Sequence, residues 1–289
     1  MKLSALLEGL QTEILQGSPD IDIKEIIYDS RKVTPQTLFI CVRGANVDGH
    51  SFAKDVAEKG AAALIVEEPV DVPENVTVIK VPDSRYAMAL TAAAWYGHPA
   101  DKLKTIGVTG TKGKTTTTYL VKSILENAGY KVGLIGTIET IIGEKTIPSA
   151  NTTPESHLIQ KYFAEMVEEG CDCVVMEVSS QGLMLHRTAG ITFDFGIFTN
   201  IEPDHIGPNE HASFEEYLEC KSRLLKQWAR MDCPCLLTQC ITLATTVRKT
   251  CWTLWIFCSR SWYVLACCLR IMTSKLIRSW CPCNQAMCL

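Results

Sequence analysis

The run Ile106-Gly107-Val108-Thr109-Gly110-Thr111-Lys112-Gly113-Lys114-Thr115-Thr116-Thr117 leaves few options for the fold around it. An apolar stretch ends in a turn punctuated by Gly110 and Gly113, and Lys-Thr-Thr then opens a helix. Strand, glycine turn and helix in that order make a cradle for polyphosphate. Glycines let backbone N–H groups approach anionic oxygens, and the helix N-terminus adds its positive dipole end. Lys114 is placed to reach the β- and γ-phosphates of a polyphosphate, and the Thr115 hydroxyl to ligate Mg²⁺. The candidate nucleotide cradle is Gly110, Thr111, Lys112, Gly113, Lys114, Thr115 and Thr116. Lys112 either adds attraction for phosphate or is simply solvated. The widespread loop G-x-x-x-x-G-K-[ST] has a glycine where this chain has Val108, so the pattern is the shorter T-G-T-x-G-K-T-T.

A loop of this kind implies a parallel sheet with crossover helices, and the downstream sequence agrees. Strand 104–109 and helix 114–128 precede strand 131–136 and a hairpin-like stretch to Pro148. Helix 155–169 and strands 172–178 and 193–199 follow, then helix 213–227. Ligands in such sheets bind beyond the carboxyl ends of the strands. The polar residues ending two of them, Glu177-Val178-Ser179-Ser180 and Thr199-Asn200-Ile201-Glu202-Pro203-Asp204-His205, should therefore share a crevice with the loop. Upstream, Leu38–Val42 and Ala62–Val66 read as buried strands, and Ser51–Lys59 and Ala87–Tyr96 as helices. Met1–Gly17 reads as a short amphipathic helix rather than a secretory signal. The expected class is thus α/β: an N-terminal α/β unit over 1–98, a linker at Gly97–Lys102, and a P-loop parallel-sheet unit over 103–228.

The remaining stretch, 229–289, is aberrant. Ten of the chain's 14 cysteines fall there, with Trp252, Trp255, Trp262 and Trp280, a single acidic residue, Asp232, and no glycine. Its charge balance is +6 against −10 for the rest, a switch too abrupt for an ordinary domain boundary. A membrane span over Cys251–Ile271 would place Arg260 at its centre, which is costly in hydrocarbon. Cys233-Pro-Cys235 and Cys281-Pro-Cys283 match zinc spacing poorly and have no histidine near them. The reading preferred is a slip of reading frame near Gln227–Trp228, leaving a tail that is not a native domain. The net charge of −4 gives no case for nucleic acid as a partner, and a soluble, cytoplasmic, monomeric enzyme is expected.

Glu177 closes the Val-Val-Met-Glu strand, where a carboxylate can take Mg²⁺ beside Thr115. His205 is a candidate second ligand only by the company it keeps. Taken together, several segments resemble the muramyl (Mur) ligases. They are Thr109–Thr117, Asn151-Thr152-Thr153-Pro154, Glu177–Ser180, His186-Arg187, Asn200 with Asp204-His205, and Lys221 in Tyr-Leu-Glu-Cys-Lys. Asp29-Ser30-Arg31, Val42-Arg43-Gly44 and Asp48-Gly49-His50 extend the resemblance upstream, so that it covers about residues 20–227.

The resemblance implies an ATP-dependent acid–amino-acid ligase of peptidoglycan precursor synthesis. Its substrates would be UDP-N-acetylmuramoyl-L-alanyl-D-glutamate and a diamino acid, with meso-diaminopimelate preferred over lysine because the matched segments look more like those members. ATP phosphorylates the terminal carboxylate, and the amine then attacks the acyl phosphate. By the same resemblance, 110–116 bind ATP, and Thr115 and Glu177 serve one Mg²⁺. His205 serves a second, and Ser30, Thr152, Thr153, Ser179 and Arg187 hold the UDP-sugar-peptide. Lys114, Glu177, His205 and Lys221 form the catalytic set, with Lys221 carbamylated by CO₂ into an anionic metal ligand. That chemistry needs a neutral amine. Without the resemblance, Lys221 reads as a solvated lysine on an exposed helix face. Cys171 and Cys173 read as buried structural thiols. Mur ligases carry a third, C-terminal domain, which nothing in 229–289 resembles, so the chain is expected to bind substrate without completing the amide. Alternatives are another member of the superfamily, such as a D-Ala-D-Ala-adding ligase or a folylpolyglutamate synthetase, or a non-catalytic or membrane-tethered nucleotide-binding remnant. Asp29-Ser30-Arg31 argues against folate.

Overall fold

The computed structural model describes residues 1–44, 47–207 and 210–227, together with the backbone of 255–258. Two sheets organise them. The N-terminal sheet contains β1 (Glu13–Gln16), β2 (Glu25–Ile27), β3 (Thr37–Ile40), β4 (Ala63–Val66) and β5 (Thr77–Lys80), in the order β1-β5-β4-β3-β2. β2 through β5 pair in parallel, and β1 joins β5 antiparallel. Alternate side chains feed two apolar layers. Leu38, Ile40, Ile65 and Ile79 pack with α1 (Leu3–Leu6) and α3 (Ser84–Trp95), while Phe39, Leu64 and Val78 pack with Val56 of α2 (Ala53–Glu58).

The second sheet runs β12-β11-β6-β10-β7-β8-β9. Its parallel centre is β11 (Phe195–Phe198), β6 (Lys104–Thr109), β10 (Cys173–Glu177) and β7 (Val132–Ile135). β8 (Glu139–Ile142) and β9 (Lys145–Pro148) complete one edge as an antiparallel hairpin. The backbone of β12 (Trp255–Cys258) pairs antiparallel with β11 at the other. Strand residues alternate between two cores, as a period of two requires. Ile106, Val108, Val132, Leu134, Cys173 and Val175 share a layer with Tyr119, Val121 and Leu125 of α4 (Lys114–Asn127). Val174, Met176 and Ile135 share the opposite layer with Phe163 and Met166 of α5 (Ser156–Glu168) and Leu224 of α7 (Phe214–Lys226). Small residues set how closely those helices approach: a Cβ at Gly107 would come 2.9 Å from Leu224 Cδ1, and one at Gly133 would come 2.4 Å from Met166 Sδ.

The expected parallel core is present, with strand and helix bounds within two residues of the sequence reading in the second sheet. Met1–Gly17 is not one helix. The helix stops after Leu6, Gly9 adopts a left-handed φ of 77°, and Glu13–Gln16 is recruited as a strand by the free edge of β5. Helix 51–59 is split into a 3₁₀ turn, Gly49–Phe52, and α2, because Asp48 caps the turn by accepting from the His50 N–H. The linker 97–102 holds a 3₁₀ turn, Pro99–Lys102, entered through left-handed Gly97 and His98. Cys171 and Cys173 are buried, as expected. The membrane, zinc and frame-slip readings of 229–289 concern residues that, apart from the β12 backbone, lie outside those described. Among the described residues no helix is long and apolar enough to cross a membrane.

Candidate active site

The carboxyl ends of β11, β6 and β10 lie side by side, with Phe198 opposite Thr109 and Glu177 opposite Val108. The order of connection reverses across β6, since α4 leads away to β7 while β11 lies on the other flank. This is the switch-point crevice of an open α/β sheet.

The glycine loop is shaped by its neighbours. Gly110 has φ 142°, and a Cβ there would stand 2.0 Å from Thr199 Oγ1 and 3.0 Å from Asn200 N, so only glycine fits. Asn200 grips the next peptides: its carbonyl accepts from Thr111 N (3.0 Å), its Oδ1 accepts from Lys112 N (2.9 Å), and its Nδ2 donates to Lys112 O (3.0 Å). Thr199 Oγ1 also donates to Lys112 O at 2.8 Å. Two loop N–H groups are thereby committed to the protein rather than left for a ligand. Gly113, left-handed at φ 80°, begins α4 without a side-chain cap, so the first-turn N–H groups of that helix have no capping side chain. Lys112 is exposed and pairs with Glu202 at 3.3 Å, close to the solvated alternative.

Lys114 Nζ donates to the carbonyls of Gly110 (3.0 Å) and Thr111 (3.1 Å). Burial lowers its pKa, opposed by the charges of Glu177 and Asp204. Glu177 is 1% exposed. Its carboxylate accepts from Thr115 Oγ1 (3.1 Å), Thr137 Oγ1 (3.1 Å) and Thr137 N (2.9 Å). A buried carboxylate whose hydrogen-bond donors among the described residues are neutral, two of them threonine hydroxyls on one oxygen, is a donor set that suits a hard divalent cation. Thr137 is a member of this group that the sequence reading missed. Its only signal is position, one residue past Gly136 at the end of an apolar strand.

Lys221 lies on α7 and is 1% exposed, so the solvated-lysine alternative does not hold. Its Nζ donates to Gly110 O at 2.8 Å and lies 4.7 Å from the centre of the Tyr217 ring. Burial first, and then the charge of Lys114, bring its pKa down to about 7, against an opposing pull from Asp204. Tyr217 donates its hydroxyl to Thr111 Oγ1 at 3.0 Å, tying α7 to the loop. Burial pushes the Tyr217 phenol up to about 12.

A cavity of about 200 Å³ opens beside Lys114, lined by Thr152, Thr153, Ser179, Arg187 and His205 among others. Four of the five expected substrate residues therefore share one cavity wall. Thr153 and Ser179 are already engaged: Thr153 Oγ1 donates to Glu177 O (2.9 Å) and accepts from Ser179 N (3.0 Å), and Ser179 Oγ caps α6 (Ser180–Met184) by accepting from Gly182 N (3.0 Å). Ser30 is not in that lining. It sits in a 3₁₀ turn of the N-terminal unit, although Tyr28 two residues before it packs edge-on against His157 of α5. His205 lies in the loop after β11 rather than at a strand end, half-exposed, with a left-handed φ of 54° and Nδ1 3.1 Å from Glu210 Oε1. The upstream Asp48-Gly49-His50 motif is local scaffolding: His50 Nδ1 lies 2.6 Å from Asp48 Oδ1, and its Nε2 accepts from Glu67 N at 2.9 Å.

Fold and site together define a glycine-loop cradle at the switch point of a parallel α/β sheet, and the chain belongs to the Mur ligase family. The model for the Mur ligase middle domain matches residues 108–238, and that for the Mur ligase family catalytic domain matches residues 22–112. Among its relatives is the UDP-N-acetylmuramoyl-L-alanyl-D-glutamate--2,6-diaminopimelate ligase of Clostridium perfringens (strain 13 / Type A), 47% identical over 227 residues, covering 78% of this chain and 46% of that protein. The ligase of the same name from Clostridioides difficile (strain 630) is 48% identical over 224 residues, covering 78% and 46% respectively. A solved structure of a UDP-N-acetylmuramoyl-L-alanyl-D-glutamate--2,6-diaminopimelate ligase superposes with a TM-score of 0.67 at 25% identity, covering 79% of this chain and 46% of that one. MurF from Acinetobacter baumannii, at 20% identity and a TM-score of 0.55, shares the fold. The chain spans about half the length of the curated relatives it matches.

Proposed function

We propose that this chain forms the UDP-substrate-binding and ATP-binding portion of a ligase that adds meso-diaminopimelate to UDP-N-acetylmuramoyl-L-alanyl-D-glutamate. The N-terminal unit, 1–98, contributes the nucleotide-sugar side, and 103–228 contributes the ATP side. The observation that carries this reading is the meeting of Lys114 and Lys221 on the Gly110 carbonyl, with Thr115 hydrogen-bonded to Glu177 at the start of α4, next to the cavity walled by Thr152, Thr153 and Arg187.

In the proposed reaction the terminal carboxylate attacks the γ-phosphorus of ATP and ADP leaves. The incoming amine then attacks the acyl carbon, and inorganic phosphate leaves. The first turn of α4 and Lys114 hold the outer phosphates, and Arg187 attracts an anionic group of the nucleotide-sugar through its guanidinium charge. Thr115 and Glu177 would hold one Mg²⁺ and His205 a second. Mg²⁺ when bound neutralises charge on the transferred phosphoryl group. Lys221, with its depressed pKa, supplies the neutral amine that CO₂ requires. A N–C bond forms as one C–O π bond of CO₂ opens, one proton leaves the nitrogen, and the neutral amine becomes an anionic carbamate.

Titration calorimetry of the purified chain tests this. Binding of UDP-N-acetylmuramoyl-L-alanyl-D-glutamate and of Mg-ADP is expected, the latter lost in Lys114→Ala. Failure to bind the nucleotide-sugar, or Mg-ADP binding indifferent to Lys114, overturns the reading.

A further inference from the structure

The wall that carries Arg187 is held from the other α/β unit. Arg85, in the first turn of α3, donates from Nη1 to Glu155 Oε2 at 3.1 Å and from Nη2 to the carbonyl of Arg43 at 3.1 Å. The second carboxylate oxygen, Glu155 Oε1, lies 2.9 Å from Arg187 Nη2. Arg187 Nη1 donates to Thr153 O at 2.9 Å. The side chains of Arg85, Glu155 and Arg187 are 16%, 21% and 12% exposed, so this is not a solvated surface pair. The preceding residue is latched to the same helix start. His186, at a left-handed φ of 54°, places Nε2 3.4 Å from Asp83 Oδ2 and packs its ring edge-on against Tyr86 at 5.5 Å.

One carboxylate shared by two arginines from separate units does more than join them. An arginine side chain carries large rotamer entropy, which a binding site loses when the ligand orders it. Here two of the three guanidinium nitrogens of Arg187 are committed before any ligand arrives. Its Nε is buried and has no hydrogen-bond partner among the described residues. We propose that Glu155 and Arg85 are positioning residues for Arg187. Glu155 fixes the plane of the guanidinium, and Arg85 makes that plane depend on the N-terminal unit being docked. The nucleotide-sugar, spanning both units, would then meet a pre-aimed cation only when the units are correctly seated. This inference rests on the reading of Arg187 as a nucleotide-sugar contact.

The test uses the full chain with Arg85→Ala, Glu155→Ala, the double variant, and the conservative Arg85→Lys and Glu155→Gln. Affinities for UDP-N-acetylmuramoyl-L-alanyl-D-glutamate and for Mg-ADP are measured alongside hydrogen exchange at the Arg187 amide, which donates to Gly182 O at 2.8 Å. Each alanine variant is expected to weaken nucleotide-sugar binding by about tenfold, and the double variant no further than either single. Mg-ADP affinity should stay unchanged, Arg85→Lys should recover part of the loss, and exchange at Arg187 should quicken. Unchanged or tighter nucleotide-sugar binding, equal loss of both ligands, or additive singles would overturn the proposal. If the wild-type chain does not bind the nucleotide-sugar, the functional reading above falls, and unaltered exchange at Arg187 in the variants would overturn the positioning role separately. If the alanine variants do not fold, the two conservative ones carry the same comparison.

Discussion

Lys221 Nζ donates to the carbonyl of Gly110 at 2.8 Å, the same oxygen that receives Lys114 Nζ at 3.0 Å. Two amines that would both be charged in water therefore share one backbone dipole in a buried pocket. The cheaper arrangement neutralises one of them, and the more deeply buried Lys221 is the one depressed to about 7.

A pH dependence of stability follows. Between about 7 and the ordinary lysine value of 10.5, the unfolded chain holds a proton on Lys221 that the folded chain has released. Stability attributable to this residue must therefore rise with pH through that window, by at most about 1.4 kcal/mol per pH unit, and the cost is fully present below pH 7. Lys221→Met should flatten this slope and stabilise the fold at pH 6, as read by urea unfolding across pH. A slope unchanged by the substitution would contradict the assignment.

Carbamylation is a separate expectation. Under ¹³CO₂ at pH 8 a carbamate carbon resonance should appear and be missing in Lys221→Arg, whose guanidinium stays protonated. Its persistence in that variant would place the modification elsewhere.

Glu177→Gln keeps the shape that holds Thr115 and Thr137 but removes the charge. Mg-ADP affinity should fall on the order of tenfold or more, while metal-free ADP binding and the thermal midpoint change little. Equal losses with and without Mg²⁺ would argue that Glu177 only braces the loop.

Gly110 and Gly113 are both left-handed, yet they should not respond alike. Gly110→Ala drives a Cβ into Thr199 and Asn200 and should cost about 2 kcal/mol or more along with nucleotide binding. At Gly113 a Cβ meets nothing within 4 Å, so the alanine variant should cost about 1 kcal/mol, the price of a left-handed φ alone. Comparable destabilisation from the two would mean the clamp by Thr199 and Asn200 is looser than its geometry.

The parallel core was legible because each strand is a continuous apolar run closed by a polar terminus, and Val-Val-Met-Glu and Ile-Gly-Val-Thr-Gly carry register and site in one reading. Lys221 shows the opposite case. Its helix has a charged sequence, and only the tie of Tyr217 to Thr111 and the docking of Leu224 into the sheet core decide that the lysine is inside. Thr137, Glu155 and the clamp role of Asn200 were not legible, since each acts on a partner distant in sequence: Glu177, Arg85 and Lys112. The N-terminal helix was misread because Glu13–Gln16 answers to the unpaired edge of β5 rather than to its own periodicity.

The alternation of β10 between two cores has a consequence for how such a chain can change by descent. Glu177 shares its face with Cys173 and Val175, toward α4, while Val174 and Met176 face α5. One residue gained or lost within this strand would swap the faces, turning the carboxylate toward Phe163 and Met166 and setting Met176 against Thr115. Length changes in β10 are therefore admissible only in pairs, and the strand works as a parity check that rejects single insertions in its own five residues.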